Sequence, residues 1–560
     1  MRIHLVRSFV VATAATLLGG AALCPGAANA QELRTGGSSA AFTTQNFAAM
    51  ASFSSITRVE RLCSTGGAEP AGTCAGAAAI GGKGKLEDYV IIEGTLKNCG
   101  TNCAASTTDP SKLGRNGGGF ARVYISSNGS GRGLSCGSTQ PTKIGFLSRF
   151  GFNGVAGGGD DPGSDGNGAI GVPAGWPAAA ATPPINLGTL NRPALVQCDT
   201  TLKANIYDKL PAAVKATVAW NVTAATELCV VDIDADGDGV IDGRDDGASL
   251  PRTQIAGGGN ESSNLNQSCD LGFGDLPPSD FENPAISSLT LNGGVTTGLQ
   301  VFKIVVNRNV RAKSDSTKKV MLQDPQLEGI FGLATFGNAC SWSDVGGQVI
   351  GDTDGKFTVC YRESGSGTRE TYRNTFMLDA RGQQDQGTTP GTFDCENFDQ
   401  NGGGTTTITQ KRYIENPTSG DEATCVSASG FATGTNGNIG YVNANRTNAN
   451  FYAVPVFGVD PDAQGAVALR NLVKCGAYPY TGPLSAGKGP GGDPLGLRQM
   501  QLNAVSSEVV FDDSTGADYI PFGPFDNGVA FQKDVTAGQY FVKFKPASCP
   551  GVIPQPPLAP

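Results

Sequence analysis

Short apolar runs separated by glycine-rich turns dominate the chain. Tyr89-Val90-Ile91-Ile92, residues 121–125, 301–306 and 358–361, Ile439-Gly440-Tyr441-Val442 and residues 452–457 read as buried strands, rich in β-branched and aromatic side chains. Helical patterns fall at 46–53, 324–331, 368–378 and 470–475. Strands alternating with helices predict the α/β fold class, and no internal repeat stands out. Between residues 135 and 268 the texture changes, with Gly/Asp and Pro/Ala runs at 157–168 and 173–184 around short apolar pieces. This segment reads as a large insertion rather than an independent domain.

Composition narrows what such a chain can do. Of 560 residues, 80 are Gly and only 16% are charged, while 26 Phe and 12 Tyr are enough to argue for a packed core. The formal charge of −9 becomes −11 once Arg2 and Arg7 are removed with a leader, and no nucleic-acid partner is expected. Those arginines open a secretory pattern, followed by an apolar stretch at 8–23 and by Ala28-Asn29-Ala30 as a cleavage site before Gln31. A periplasmic or secreted protein is therefore expected, not membrane-spanning after cleavage. The only histidine, His4, lies in that leader. A mature chain without histidine has no Ser-His or Cys-His catalytic pair and no histidine metal ligand, which excludes many hydrolases and most zinc enzymes. With Cys24 set aside, fourteen dispersed cysteines remain, which in an exported chain predicts up to seven disulfides.

The stretch Tyr361-Arg362-Glu363-Ser364-Gly365-Ser366-Gly367-Thr368-Arg369-Glu370 carries the most chemistry. An apolar strand runs into it and a helical pattern leaves it. Free N–H groups at a helix start, with the Ser366 and Thr368 hydroxyls, make a concave donor site for an anion. Gly365 and Gly367 let the backbone approach closely, and Arg362 can pair with two ligand oxygens. The same residues also suit an ordinary capped helix, since Ser and Thr are common N-caps.

Other stretches favour the anion, because in chain order they resemble the phosphate-binding proteins of the phosphate-specific ABC transporter. They are Gly37-Ser38-Ser39-Ala40-Ala41-Phe42, Asn128-Gly129-Ser130-Gly131-Arg132-Gly133-Leu134, Asp270-Leu271-Gly272-Phe273-Gly274-Asp275-Leu276-Pro277, the strand at 301–310, residues 330–345 with Trp342-Ser343-Asp344-Val345, and Gly437-Asn438-Ile439-Gly440-Tyr441-Val442. The resemblance implies a two-lobed periplasmic-binding-protein fold with a hinge and a central ligand cleft. Lobe one would combine residues 31–134, 269–302 and 451–549, and lobe two residues 303–450, with a leader at 1–30 and a tail at 550–560. It implies inorganic phosphate or a related oxyanion as ligand and an ABC permease as partner. Carried over by position, Ala41 and Phe42 form the first loop, with Phe42 donating its N–H. Ser130 donates hydroxyl and N–H, Asp275 accepts from a protonated ligand oxygen, and Arg362, Ser364, Ser366, Gly367 and Thr368 line the opposite wall. An acceptor-only carboxylate disfavours unprotonated anions such as sulfate.

The chain also departs from that family. Ala41 stands where a threonine is common and Ser364 where an aspartate is. Between Phe42 and Ser130 lie 87 residues, and between Gly133 and Asp270 lie 136, both far beyond the family's short connections. Inside the second gap, Asp234, Asp236, Asp238, Val240, Asp242 and Asp245 match a twelve-residue calcium loop, with Gly239 at its sixth position. A structural calcium ion is expected there, and no catalytic cofactor. No carboxylate pair or Ser-Lys pair makes a persuasive catalytic set, so binding rather than catalysis is expected. The alternative is an extracellular interaction or structural protein on the same fold, to which the Gly-rich, Cys-rich insertions would give the working surface.

Overall fold

The computed structural model describes most of residues 31–62, 89–139, 206–222, 270–379 and 411–521, with a few short strands outside those ranges. The leader, the 234–245 loop, Ser364, the 550–560 tail and most of the 135–268 insertion lie outside the described residues. One mixed sheet of 14 strands organises the rest. In chain order its strands are β1 (Gln31–Gly37), β2 (Phe53–Leu62), β3 (Tyr89–Leu96), β4 (Gly119–Ser127), β5 (Ala219–Trp220), β6 (Leu271–Gly274) and β7 (Val295–Asn307). They continue as β8 (Phe357–Arg362), β9 (Phe398–Gln400), β10 (Lys411–Asn416), β11 (Asn438–Asn443), β12 (Phe451–Ala453), β13 (Thr481–Lys488) and β14 (Tyr519–Pro521). The spatial order is β9-β10-β8-β11-β7-β13-β6-β1-β4-β3-β2-β5, with β12 and β14 also paired to β7.

Two cores make this sheet two lobes. Alternate residues of β1 to β4 (Leu33, Phe53, Val90, Ile92, Val123 and Ile125) pack with helix α1 (Phe42–Ala51) and with Met500 and Val505. The second core gathers Ile304, Leu327, Trp342, Val359, Tyr361, Tyr441 and Val454. The 13-residue β7 serves both lobes: residues 295–301 pair with β13, and 302–306 with β11. Beside it the chain crosses back at Tyr480, whose carbonyl accepts from Phe302 N–H at 3.0 Å. Val454, Leu469, Val473 and Tyr478 pack in the second core as well, and β12 adds to the same end of β7 as β11.

Local differences from the sequence pattern have identifiable causes. The helix expected at 46–53 starts earlier, at Phe42, and Phe53 begins a strand. Thr44, Gln45 and Asn46 are buried in it, which erases the polar face that periodicity relies on. The strand expected at 452–457 is only Phe451–Ala453, because Pro455 lacks an N–H for a ladder. Helix α3 (Gly367–Tyr372) continues as a π-turn over Arg373–Met377. Trp342 is a packing residue, fully buried with Nε1 donating to Gly437 O at 2.9 Å. The described residues show the disulfides Cys99–Cys103 and Cys360–Cys425. No helix among them is long and apolar enough to cross a membrane.

Beside the crossing, Asp518 is buried next to Gln300 Nε2, 3.5 Å from its Oδ2, and burial pushes its carboxyl up to about 6. The folded protein then binds more protons than the unfolded chain between pH ~4 and ~6, so stability falls as pH rises through that window and levels off above it. Asp518→Asn is expected to remove that slope, at most about 3 kcal/mol, from urea-unfolding free energies measured between pH 4 and 7.

Candidate functional site

Strands β1, β4 and β6 are parallel neighbours, so their C-terminal ends share one edge of lobe one. The loops that follow them bring Ser38, Ser130 and Asp275 together. Each is fixed by close backbone approach. Gly37 has φ 127°, and a Cβ there would overlap the Phe273 carbonyl across the β1–β6 pair. Ser130 opens helix α2 (Ser130–Cys136), whose Gly133 lies against the same carbonyl. From lobe two, β8 leads through Gly365 into α3, with Ser366 as N-cap accepting from Arg369 N–H at 3.4 Å.

All these loops meet at one carboxylate. Asp275 is 1% exposed. Its Oδ1 accepts from the Ser38 hydroxyl, and its Oδ2 from Ser130 Oγ at 3.0 Å and Thr368 Oγ1 at 3.4 Å. Burial pushes the carboxyl above the usual carboxylate range, while the Ser38 and Ser130 hydroxyls, Arg362 and Thr368 pull the other way. The two walls touch here. A Cβ on Gly367 would lie 2.6 Å from Ser130 Oγ and 2.7 Å from Asp275 Cβ. Gly131 N–H donates to Gly365 O at 3.1 Å, and Glu282 N–H to Glu370 Oε2 at 3.2 Å.

Arg362 is equally buried, at 1% exposure. Its Nε donates to Asn416 O at 3.1 Å and its Nη1 to Ser419 Oγ at 2.8 Å. Its backbone N–H donates to Tyr441 Oη at 3.1 Å. Arg369 stands behind it, Nη1 donating to Arg362 O at 3.4 Å and the guanidinium 5.7 Å from the Tyr361 ring centre. Two helix starts (Ser130 and Gly367) and three hydroxyls thus meet at a single carboxylate, with the Arg362 charge near enough to act on it. Helix N-termini carry partial positive charge, so the balance suits an added anion.

Of the residues singled out in the sequence, Ser130, Asp275 and Thr368 are in direct contact, and Gly367 and Ser366 frame them. Ala41 is buried at the start of α1, its N–H donating to Ser38 Oγ at 3.2 Å, and Phe42 is the first residue of that helix. Ser364 and the six residues of the 234–245 loop lie outside the described residues, among which no cluster of potential metal ligands occurs. Sequence reasoning missed three partners. Ser38 sits in the Gly-Ser-Ser turn that was noticed but not assigned a contact. Asn416 and Ser419 hold Arg362 from a segment with no motif of its own. Gly37→Ala is expected to cost at least about 3 kcal/mol, through the positive φ and the overlap with Phe273, read as a lowered urea midpoint.

Neither a protein-family model nor a curated protein matches the chain. Among solved structures it is similar to a protein of Clostridium perfringens assigned as a phosphate ABC transporter substrate-binding protein, with bound phosphate. That likeness has 18% identity over 45% of this chain and 79% of that one, and a TM-score of 0.30. An ABC-type phosphate transport receptor from Vibrio cholerae gives 16% identity, 45% and 80% coverage, and a TM-score of 0.29. A protein of Planctomyces limnophilus described as a possible phosphate binding protein gives 15%, 40% and 65%, and a TM-score of 0.22. At these scores the fold assignment rests on the chain's own topology.

Proposed function

We propose that the chain is an exported solute-binding protein that holds phosphate or a chemically similar oxyanion between its two lobes, without catalysing a reaction. The observation that carries this reading is the convergence of Ser38, Ser130 and Thr368 on the buried carboxylate of Asp275, with Arg362 beside it. Hydroxyls can rotate their protons from the carboxylate to a ligand oxygen, while the carboxylate accepts a proton that the ligand still carries. Loops from both lobes would close on the anion and exclude water, which strengthens each charged contact. An ABC permease is the partner this reading implies.

Calorimetric titration of the mature protein is expected to show phosphate binding at micromolar or tighter affinity, with sulfate excluded near neutral pH. Arg362→Ala should weaken phosphate at least tenfold while the fold persists. Sulfate should gain affinity as pH falls through the raised Asp275 titration, because the protonated acid becomes a donor. No heat with either anion would remove this reading and favour an interaction or structural protein.

The 234–245 loop is assigned, on its carboxylate spacing, a structural calcium ion. Chelation of calcium should then lower the Tm by several degrees and leave the phosphate stoichiometry unchanged. An identical Tm with and without chelator would refute it.

A further inference from the structure

Residues of β8 alternate between two environments. Val359 and Tyr361 face the main core of lobe two, while Cys360 packs on the other side with Val305, Val426, Val442 and Phe451. Arg362 is two residues beyond Cys360, so it projects to the same side. That side is covered by helix α4 (Ser419–Ser427). The first residue of α4, Ser419, accepts from Arg362 Nη1 at 2.8 Å, and Asn416, at the end of β10 just before α4, accepts from Arg362 Nε at 3.1 Å. Two turns along, Cys425 of α4 is disulfide-bonded to Cys360. The strand that carries the guanidinium and the helix that seats it are thus covalently tied two residues from the arginine itself.

We propose that the Cys360–Cys425 disulfide is a positioning element for Arg362, fixing α4 so that Ser419 and Asn416 aim the guanidinium at the ligand. Its consequence for affinity rests on the oxyanion reading, but the coupling itself does not. The packing leaves α4 little freedom to slide while the bond is intact. A Cβ on Gly440 of β11 would lie 2.7 Å from Val426 Cγ2, and Asn438 Nδ2 donates to Cys425 O at 2.6 Å. These contacts grip the C-terminal half of the helix, at the disulfide, whereas the arginine is held at its N-terminal end. Cys99–Cys103 joins residues four apart, in lobe one, and has no such relation to the guanidinium.

The test compares the full mature chain with Cys360→Ala/Cys425→Ala, using Cys99→Ser/Cys103→Ser as the control. In protein labelled with 15Nε-arginine, the Arg362 Nε–H signal is identified by its loss in Arg362→Lys, and its hydrogen exchange is measured without added anion. Exchange is expected to accelerate at least tenfold in Cys360→Ala/Cys425→Ala and to stay within twofold of wild type in the control. Inorganic phosphate is then titrated, with at least fivefold weaker binding expected for the same variant. Arg362 exchange within twofold of wild type after loss of the disulfide overturns the proposal. Should that variant not fold, Ser419→Ala with the disulfide intact decides. Unchanged Arg362 exchange there means that α4 does not seat the arginine, and the proposal fails. Wild-type protein that binds no phosphate sinks the oxyanion reading alone, since the exchange comparison still judges the coupling.

Discussion

A carboxylate buried where two lobes meet has to be satisfied from both sides, and Asp275 imposes that demand on everything around it. A charge taken from water is costly unless it is hydrogen-bonded and balanced, by several kcal/mol for an unpaired ion. Ser38 and Ser130 answer from lobe one and Thr368 from lobe two, with Arg362 as the neighbouring positive charge. This arrangement explains why residue 367 has no side chain. Any Cβ there would displace the hydroxyl of Ser130 or the stem of Asp275. It also explains why parallel strands are used. Only β1, β4 and β6, running side by side in one direction, can deliver three successive loops to the same point.

The second lobe has the complementary task of holding cations in an apolar interior. The Arg369 guanidinium lies 5.7 Å from the Tyr361 ring centre, the Tyr441 hydroxyl accepts the Arg362 backbone N–H, and the Arg362 guanidinium is held on the other face by Asn416 and Ser419. Tyr372 stacks on Tyr441 with ring centres 4.9 Å apart and meets Phe376 at 5.0 Å. Burial drives the Tyr441 and Tyr480 phenols well above their ordinary range, which keeps both uncharged. The adjacent strands β7 and β13 run between the two cores, and Phe302 N–H donates to the carbonyl of Tyr480, just before β13.

Much of this was legible along the chain because it depends on local pattern. The strand at residues 301–306 and the helix at 324–331 were visible as uninterrupted apolar runs or simple amphipathic periods, and the latter has the bounds Asp324–Phe331 in the structure. The Ser-Gly-Ser-Gly-Thr turn announced a helix start, although an anion site and an ordinary capped helix suited those residues alike, and in the structure Ser366 is the N-cap. Asp275 stood out only through its neighbours in sequence, and its burial was not readable. Helix α1 was misjudged at its start because every residue from Phe42 is enclosed or nearly so, and polar residues inside a core mimic a surface.

What the sequence determined by itself was the set of loops, the α/β alternation, and the absence of histidine chemistry outside residues 1–30. Each of these follows from residue type or short-range spacing. Tertiary structure alone decided which loops share an edge, that Ser38 completes the set of hydroxyl donors to Asp275, and that Asn416 and Ser419 hold Arg362 from more than fifty residues away. It also decided that β12 pairs with β7. These facts depend on the order of strands in the sheet, and strand order is fixed by the packing of two whole cores rather than by any stretch of neighbouring residues.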